Sequence, residues 1–146
     1  MWSPLKTDRI WLENIHISLA PISEADCAEQ YDISVGVDIR KRSDALSFMI
    51  CLTMELTPSA DAHCRYSEIS IKTAGIFQLP EDTPEDFVRA VVPMNCLVIL
   101  HGFARGVVAQ ITGLNQGGPV LLPTVNFVEA LQQGKKSIKS YSDSET

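Results

Sequence analysis

Residues 31–40 read Tyr31-Asp32-Ile33-Ser34-Val35-Gly36-Val37-Asp38-Ile39-Arg40, and the alternation is unbroken. Ile33, Val35, Val37 and Ile39 point one way; Asp32, Ser34, Gly36, Asp38 and Arg40 point the other, the period of a strand with one buried face. Downstream, Lys41-Arg42-Ser43-Asp44 has the composition of a turn, and 46–57 forms a longer strand with Leu46, Phe48, Ile50, Leu52, Met54 and Leu56 on one face. Its other face also carries Met49 and Cys51 beside Ser47, Thr53 and Glu55. A second turn at 58–62 leads to a fourth strand over 65–78, with Ile69 and Ile71 on one parity and Glu68 and Lys72 on the other. Upstream, 10–19 is β-branched and aromatic, but its phase slips near Glu13-Asn14: Ile10 and Leu12 fall on one parity, and Ile15, Ile17 and Leu19 on the other. A β-bulge there restores the phase. Pro21 ends this strand, and the polar stretch 21–30 reads as a crossover loop. Short polar connections after the second and third strands favour an antiparallel meander.

The period then changes. Leu79-Pro80-Glu81-Asp82 leaves the sheet, and Thr83-Pro84-Glu85-Asp86 has the form of a helix start, with a hydroxyl N-cap, Pro at the first position and acids in the first turn. Phe87, Val88, Val91 and Val92 follow at helical spacing; Pro93 is expected to kink or restart the helix. Leu97, Leu100, Phe103, Ala104, Val107, Val108 and Ile111 continue the stripe until Gly113, Asn115, Gly117, Gly118 and Pro119 end it. Residues 121–125 form an extended apolar linker, Asn126 caps a short helix of Phe127, Val128, Ala130 and Leu131, and the Lys/Ser-rich tail is expected to be disordered. The fold class is α+β: a four-stranded antiparallel meander, then one long kinked helix and one short C-terminal helix. One domain spans 1–133 and the tail 134–146, without internal repeats.

With 146 residues, a chain this size can bury roughly 70% of the surface its unfolded form exposes, and needs no metal or disulfide to fold. Twelve Lys+Arg against 18 Asp+Glu give a net charge of −6, which argues against nucleic acid, whose binding calls for a basic face. The first residues lack the apolar core of a secretory signal. The apolar run 91–111 is interrupted by Pro93, Asn95, His101 and Arg105, which argues against membrane insertion. Cys27, Cys51, Cys64 and Cys96 are widely spaced, as reduced thiols would be. A cytoplasmic protein is expected.

No constellation supports an enzyme, a metal site or a cofactor. His63-Cys64 lacks a second ligand pair. Cys96 and His101 fall on different faces of a helix. Asp82, Glu85 and Asp86 suit a helix N-terminus, and the glycines of 113–118 follow a helix instead of preceding one. Two features point to association instead. Two helices are too few to cover both faces of the sheet, so an apolar patch remains, as at interfaces and grooves. Gly102 and Gly106, four apart and flanking Arg105, make a flat helix face that fits either a second subunit or the chain's own sheet.

Gly75-Ile76-Phe77, a helix carrying Asn95 and Phe103-Ala104-Arg105, and Leu122-Pro123-Thr124-Val125-Asn126-Phe127 before the last helix together resemble the bacterial export chaperone family SecB. The spacing from Phe103 to Leu131 fits that family without gaps, and the likeness covers 9–133, with Arg9-Ile10 opening the first strand and Ala20-Pro21 closing it. The resemblance implies a cytoplasmic homotetramer, a dimer of dimers, that holds unfolded preproteins in apolar grooves without ATP and passes them to the translocase motor SecA. By position, Ile33, Val35, Val37, Ile76, Phe77, Phe103, Phe127 and Leu131 correspond to the groove, and Gly102, Arg105 and Gly106 are expected at the oligomer interface. Family members that dock the motor carry acids where this chain has Asn14, Leu19 and Ser70, with Glu13 and Glu68 only as neighbours. Lys135-Lys136-Ser137-Ile138-Lys139 stands in place of an acidic tail. An alternative follows from that departure: an adaptor dedicated to one partner, such as the antitoxin of a toxin–antitoxin system. A small-molecule site is disfavoured because no polar groups converge.

Overall fold

The computed structural model describes residues 4–21, 30–133 and 138–141. Four long strands, β1 (Lys6–Leu19), β2 (Tyr31–Arg42), β3 (Ser47–Pro58) and β4 (Tyr66–Gln78), are followed by helices α1 (Glu85–Gly113) and α2 (Phe127–Gln133) and a short β5 (Ile138–Tyr141). The sheet order is β1-β4-β3-β2-β5. Strands β2, β3 and β4 form the expected antiparallel meander, while β1 crosses to pair antiparallel with the far edge of β4. The phase slip near Glu13 is a register shift between Leu12 and Asn14, so one irregularity keeps Ile10 and Leu12 on the same face as Ile15 and Ile17. Of the 21–30 crossover, residues 22–29 lie outside the described residues.

Cross-strand register defines two faces. On the inner face, Phe48 pairs with Phe77, Leu52 with Thr73, Met54 with Ile71 and Leu56 with Ile69. These side chains are buried, and α1 packs over them through a row spaced by four: Val92, Cys96, Leu100, Ala104, Val108 and Thr112, with Leu97 beside it. Gly75 lies on this face because nothing larger fits. A Cβ there would stand 2.7 Å from the ring of Phe77 and 2.9 Å from Ile10. The outer face is mixed: Met49, Cys51, Thr53 and Glu55 on β3 face away from α1 and are half-buried or exposed.

Three local expectations differ from what forms. Helix α1 does not restart at Pro93 but runs on as one element from Glu85 to Gly113. The carbonyl that Pro93 cannot serve belongs to exposed Arg89, where water can take the bond. Thr83 is not the N-cap: Pro84 holds that place in an extended conformation, and Thr83 Oγ1 instead donates to the Pro80 carbonyl at 2.6 Å. In the tail, Ile138–Tyr141 pairs parallel with Ile39–Arg42 of β2 where no structure was expected; the rest of 134–146 is outside the described residues. The cap of α2 forms as expected, with the Glu129 N–H donating to Asn126 Oδ1 at 3.2 Å. By length and composition α1 is apolar enough to cross a membrane, but one of its stripes is buried against the sheet.

Candidate functional site

On β2 the inner row fades from core to surface. Ile39 is buried, Val37 and Val35 are half-buried, and Ile33 is 40% exposed. Beyond Ile33 lies a cavity of about 520 Å³ whose wall includes Tyr31, Ile33, Leu56, Arg65, Val120 and Leu121. Leu121, 63% exposed, stands at its rim. The far wall is the segment after α1, which has no regular structure of its own and is fixed by side chains. The buried Tyr66 hydroxyl faces the carbonyls of Gly118 at 2.6 Å and Thr112 at 3.1 Å, with one proton to donate between them. Thr112 Oγ1 accepts from the Val120 N–H at 2.9 Å and donates back to the Val108 carbonyl. Arg65 Nη1 donates to the Gly117 carbonyl at 2.7 Å. Further along, His101 Nε2 meets the Pro123 carbonyl at 2.9 Å, so that nitrogen carries the proton, and its ring stands edge-on to Phe127 at 5.6 Å.

The expected groove residues separate into three groups. Ile33, Val35 and Val37 are brought together on one partly open row. Phe77, Phe127 and Leu131 are sealed in the core of the chain, with Phe77 at 0% exposure. Ile76 takes the opposite parity, on the outer face between Arg9 and Met49, and Phe103 is half-buried on α1. Sequence reasoning missed Tyr66, Arg65 and Leu121. Their only signal was a run of turn residues at 113–119, whose partner across the fold cannot be read from spacing.

On the far side of α1 the small-residue face is open. Among the described residues, a Cβ on Gly102 or Gly106 would meet nothing within 4 Å beyond its own stretch of helix, Arg105 is exposed, and Val98 is 56% exposed. These glycines therefore do not pack against the described strands of their own sheet. Glu13 and Asn14 are exposed on β1, and Glu68 and Ser70 half-buried on β4, all close together in register, with His16 Nε2 3.6 Å from Glu68. Glu13 also accepts from Trp11 Nε1 at 2.9 Å, beneath the Arg9 guanidinium.

Reactive chemistry finds no support at the described cysteines, Cys51, Cys64 and Cys96; Cys27 lies outside the described residues. Burial pushes the Cys96 thiol up to about 12 and raises that of Cys51, so neither is a ready thiolate. Cys64 Sγ donates to the Gln30 carbonyl at 3.2 Å, fastening the start of β2. Among the described residues no group of three His, Cys, Asp or Glu side chains is placed to hold a metal.

The family model described as preprotein translocase subunit SecB matches residues 12–137. The chain belongs to the SecB family. The protein-export protein SecB of Acidithiobacillus ferrooxidans is 26% identical over 139 residues, covering 92% of both chains. That of Hyphomonas neptunium is 34% identical over 109 residues, 70% of this chain and 63% of the relative. In fold, this SecB-family chain is similar to the SecB-like chaperone of Mycobacterium tuberculosis, solved in complex with a ChAD peptide from the HigA1 antitoxin. The TM-score is 0.61 at 16% identity, over 84% of this chain and 91% of that one.

Proposed function

We propose that this SecB-family export chaperone is an ATP-independent holdase that keeps unfolded preproteins soluble by lodging apolar side chains against β2. One observation carries the reading: the row Val37, Val35, Ile33 opens progressively into an apolar cavity of about 520 Å³. A cavity of that size takes one or two large side chains, and an open row beside it suits an extended chain of varied sequence. Each side chain buried there contributes about 1.5–3 kcal/mol, so several weak contacts hold a client that can still be released. The protein is soluble and cytoplasmic on this reading, without chemistry of its own.

The bare face at Gly102, Arg105, Gly106 and Val98 supports assembly. Two such helices approach closely because no side chain intervenes at the glycines, a contact that would join two dimers into a homotetramer. Light scattering tests this: the mass in solution should be four times the 16.1 kDa chain, and a stable monomer would refute it. Stoichiometric suppression of aggregation of several unrelated unfolded proteins, without nucleotide, tests the holdase. Rescue of one client alone favours the second reading, a dedicated adaptor, for which Asn14 and Ser70 on the outer face speak. They are uncharged where docking to the motor SecA calls for acids, with Glu13 and Glu68 the nearest carboxylates to serve it.

A further inference from the structure

Among the described residues, the outer face of the sheet is covered by neither helix: α1 lies on the inner side, and α2 packs on α1. Cross-strand register arranges that outer face in rows. One row reads Arg40, Met49, Ile76 and Arg9 from β2 to β1, and the next reads Asp38, Cys51, Ala74 and Trp11. On β5, Lys139 stands in register with Arg40. Met49, Ile76, Cys51 and Trp11 are half-buried. Ala74, between Cys51 and Trp11, has no exposure, so its neighbours close over it into a level apolar strip. Cations frame the strip. The Arg9 guanidinium lies 4.9 Å from the centre of the Trp11 ring, a stacking that uses its face and leaves its N–H edge available. Arg40 gives its Nε–H to Asp38 at 3.2 Å, one of several N–H groups on that side chain. Exposed Lys72 follows Ala74 by two positions on β4. Of the acids at this end, Asp38 is paired with Arg40, and Glu13 accepts the Trp11 indole N–H at 2.9 Å. Asp8 falls at the register shift before Arg9, without a cross-strand partner. Glu55 stands at the opposite end, six residues along β3 from Met49. That is roughly 20 Å, more than twice the screening length of about 8 Å at physiological salt, so the acidity of the whole chain does not cancel the cations here.

We propose that this end of the outer face docks an acidic segment of a partner protein, with carboxylates on Arg9 and Arg40 and apolar side chains between them on Met49, Ile76 and Trp11. The two arginines are three strand spacings apart, roughly 14 Å, which an extended segment covers in about four residues. Such a segment crosses the strands, so its side chains hold it and no backbone pairing is involved. Arginine suits the role because its planar fork takes a carboxylate through two hydrogen bonds at once. An anionic membrane fits less well: a broad charged surface meets the field of the whole chain at −6, whereas a short segment meets only the local cations. The site lies on the opposite side of the sheet from Ile33, Val35 and Val37, so it stands independently of the holdase reading, and both sites can be filled together.

The test uses the full chain carrying Trp2→Phe, which leaves Trp11 as its one tryptophan, and the peptide Glu-Glu-Leu-Phe-Leu-Glu-Glu. Emission from Trp11 should shift as the peptide is added. Raising the salt from about 0.05 to about 0.5 M should weaken binding at least fivefold. The double variant Arg9→Gln with Arg40→Gln, made in the same background, should bind at least tenfold more weakly while melting at the same temperature. A peptide with Lys in place of each Glu should leave the emission unchanged, a readout independent of any variant's folding. Excess unfolded polypeptide should not displace the acidic peptide. A silent Trp11, equal binding of the Lys and Glu peptides, unchanged affinity of the folded double variant, or displacement by unfolded polypeptide would each overturn the proposal. So would two other occupants of the face. Vesicles of anionic lipid that shift Trp11 where the peptide does not would assign it to a membrane. Salt-sensitive growth in mass that the double variant abolishes would assign it to a second copy of the chain.

Discussion

Replacing Tyr66 with Phe removes a single oxygen from a side chain that has no solvent exposure. The ring stays, so no cavity of consequence opens and the core contacts persist. What is lost is the proton shared between the Gly118 carbonyl at 2.6 Å and the Thr112 carbonyl at 3.1 Å. Leaving a buried acceptor short of its donor costs about 1–3 kcal/mol. For a domain near this size that lowers the melting temperature by roughly 3–10 °C. The same bond anchors the segment whose Val120 and Leu121 wall the cavity, so client affinity should fall several-fold in parallel. Thermal denaturation by circular dichroism and titration of a labelled unfolded peptide read the two effects on one sample. A Tyr66→Phe protein with unchanged melting and unchanged affinity refutes the claim that this hydroxyl fixes the wall. Lower stability with full affinity shows that the wall holds itself in place.

Ile33→Asp with Leu121→Asp changes two residues that are 40% and 63% exposed, so stability should hold while peptide affinity drops at least tenfold; a large loss of stability would make them core. Gly75→Ala forces a methyl against Phe77 and Ile10 and should destabilise by about 1–3 kcal/mol in urea unfolding, with a neutral result excluding the close approach. Gly102→Leu fills open space on the monomer, so it should lower the mass seen by light scattering without unfolding the chain. The Cys96 thiol, ordinarily near 9.0, stays protonated to about 12 when folded. The unfolded chain therefore releases that proton first, and stability falls as pH rises from 9 towards 12, by about 1.4 kcal/mol per pH unit. Cys96→Val should remove that portion of the alkaline slope, and identical slopes would refute it.

The strands were legible because half-buried strands write a period of two into the chain, and even the bulge near Glu13 left its mark as a phase slip. The long helix was legible from its stripe, but its behaviour at Pro93 was not, since that depends on which carbonyl the proline deprives and whether water reaches it. Residues at the site were less readable. Phe77 and Ile76 are neighbours in the motif yet lie on opposite faces, one sealed and one half-buried. A motif match carries a position, whereas exposure is decided by how far α1 and α2 extend across the sheet. Tyr66 and Arg65 became significant only through partners about fifty positions away. Strand β5 has no period at all, because an existing edge supplied the order that its own sequence lacks.

The pairing of β1 with β4 sets the order in which the chain can assemble. Strands β2, β3 and β4 close through short turns, so their contacts form early and at small entropic cost. Strand β1 must wait, because its partners, such as Gln78 for Lys6 and Ile71 for Ile15, lie on the last strand of the meander. The folding nucleus then belongs to β3 and β4, and substitutions in β1 should leave the refolding rate nearly unchanged while speeding unfolding, with φ-values near zero. Until β1 arrives, the β4 edge around Gly75 is bare. The interval between meander closure and β1 docking is when a chain built to shield others from aggregation is itself most exposed to it.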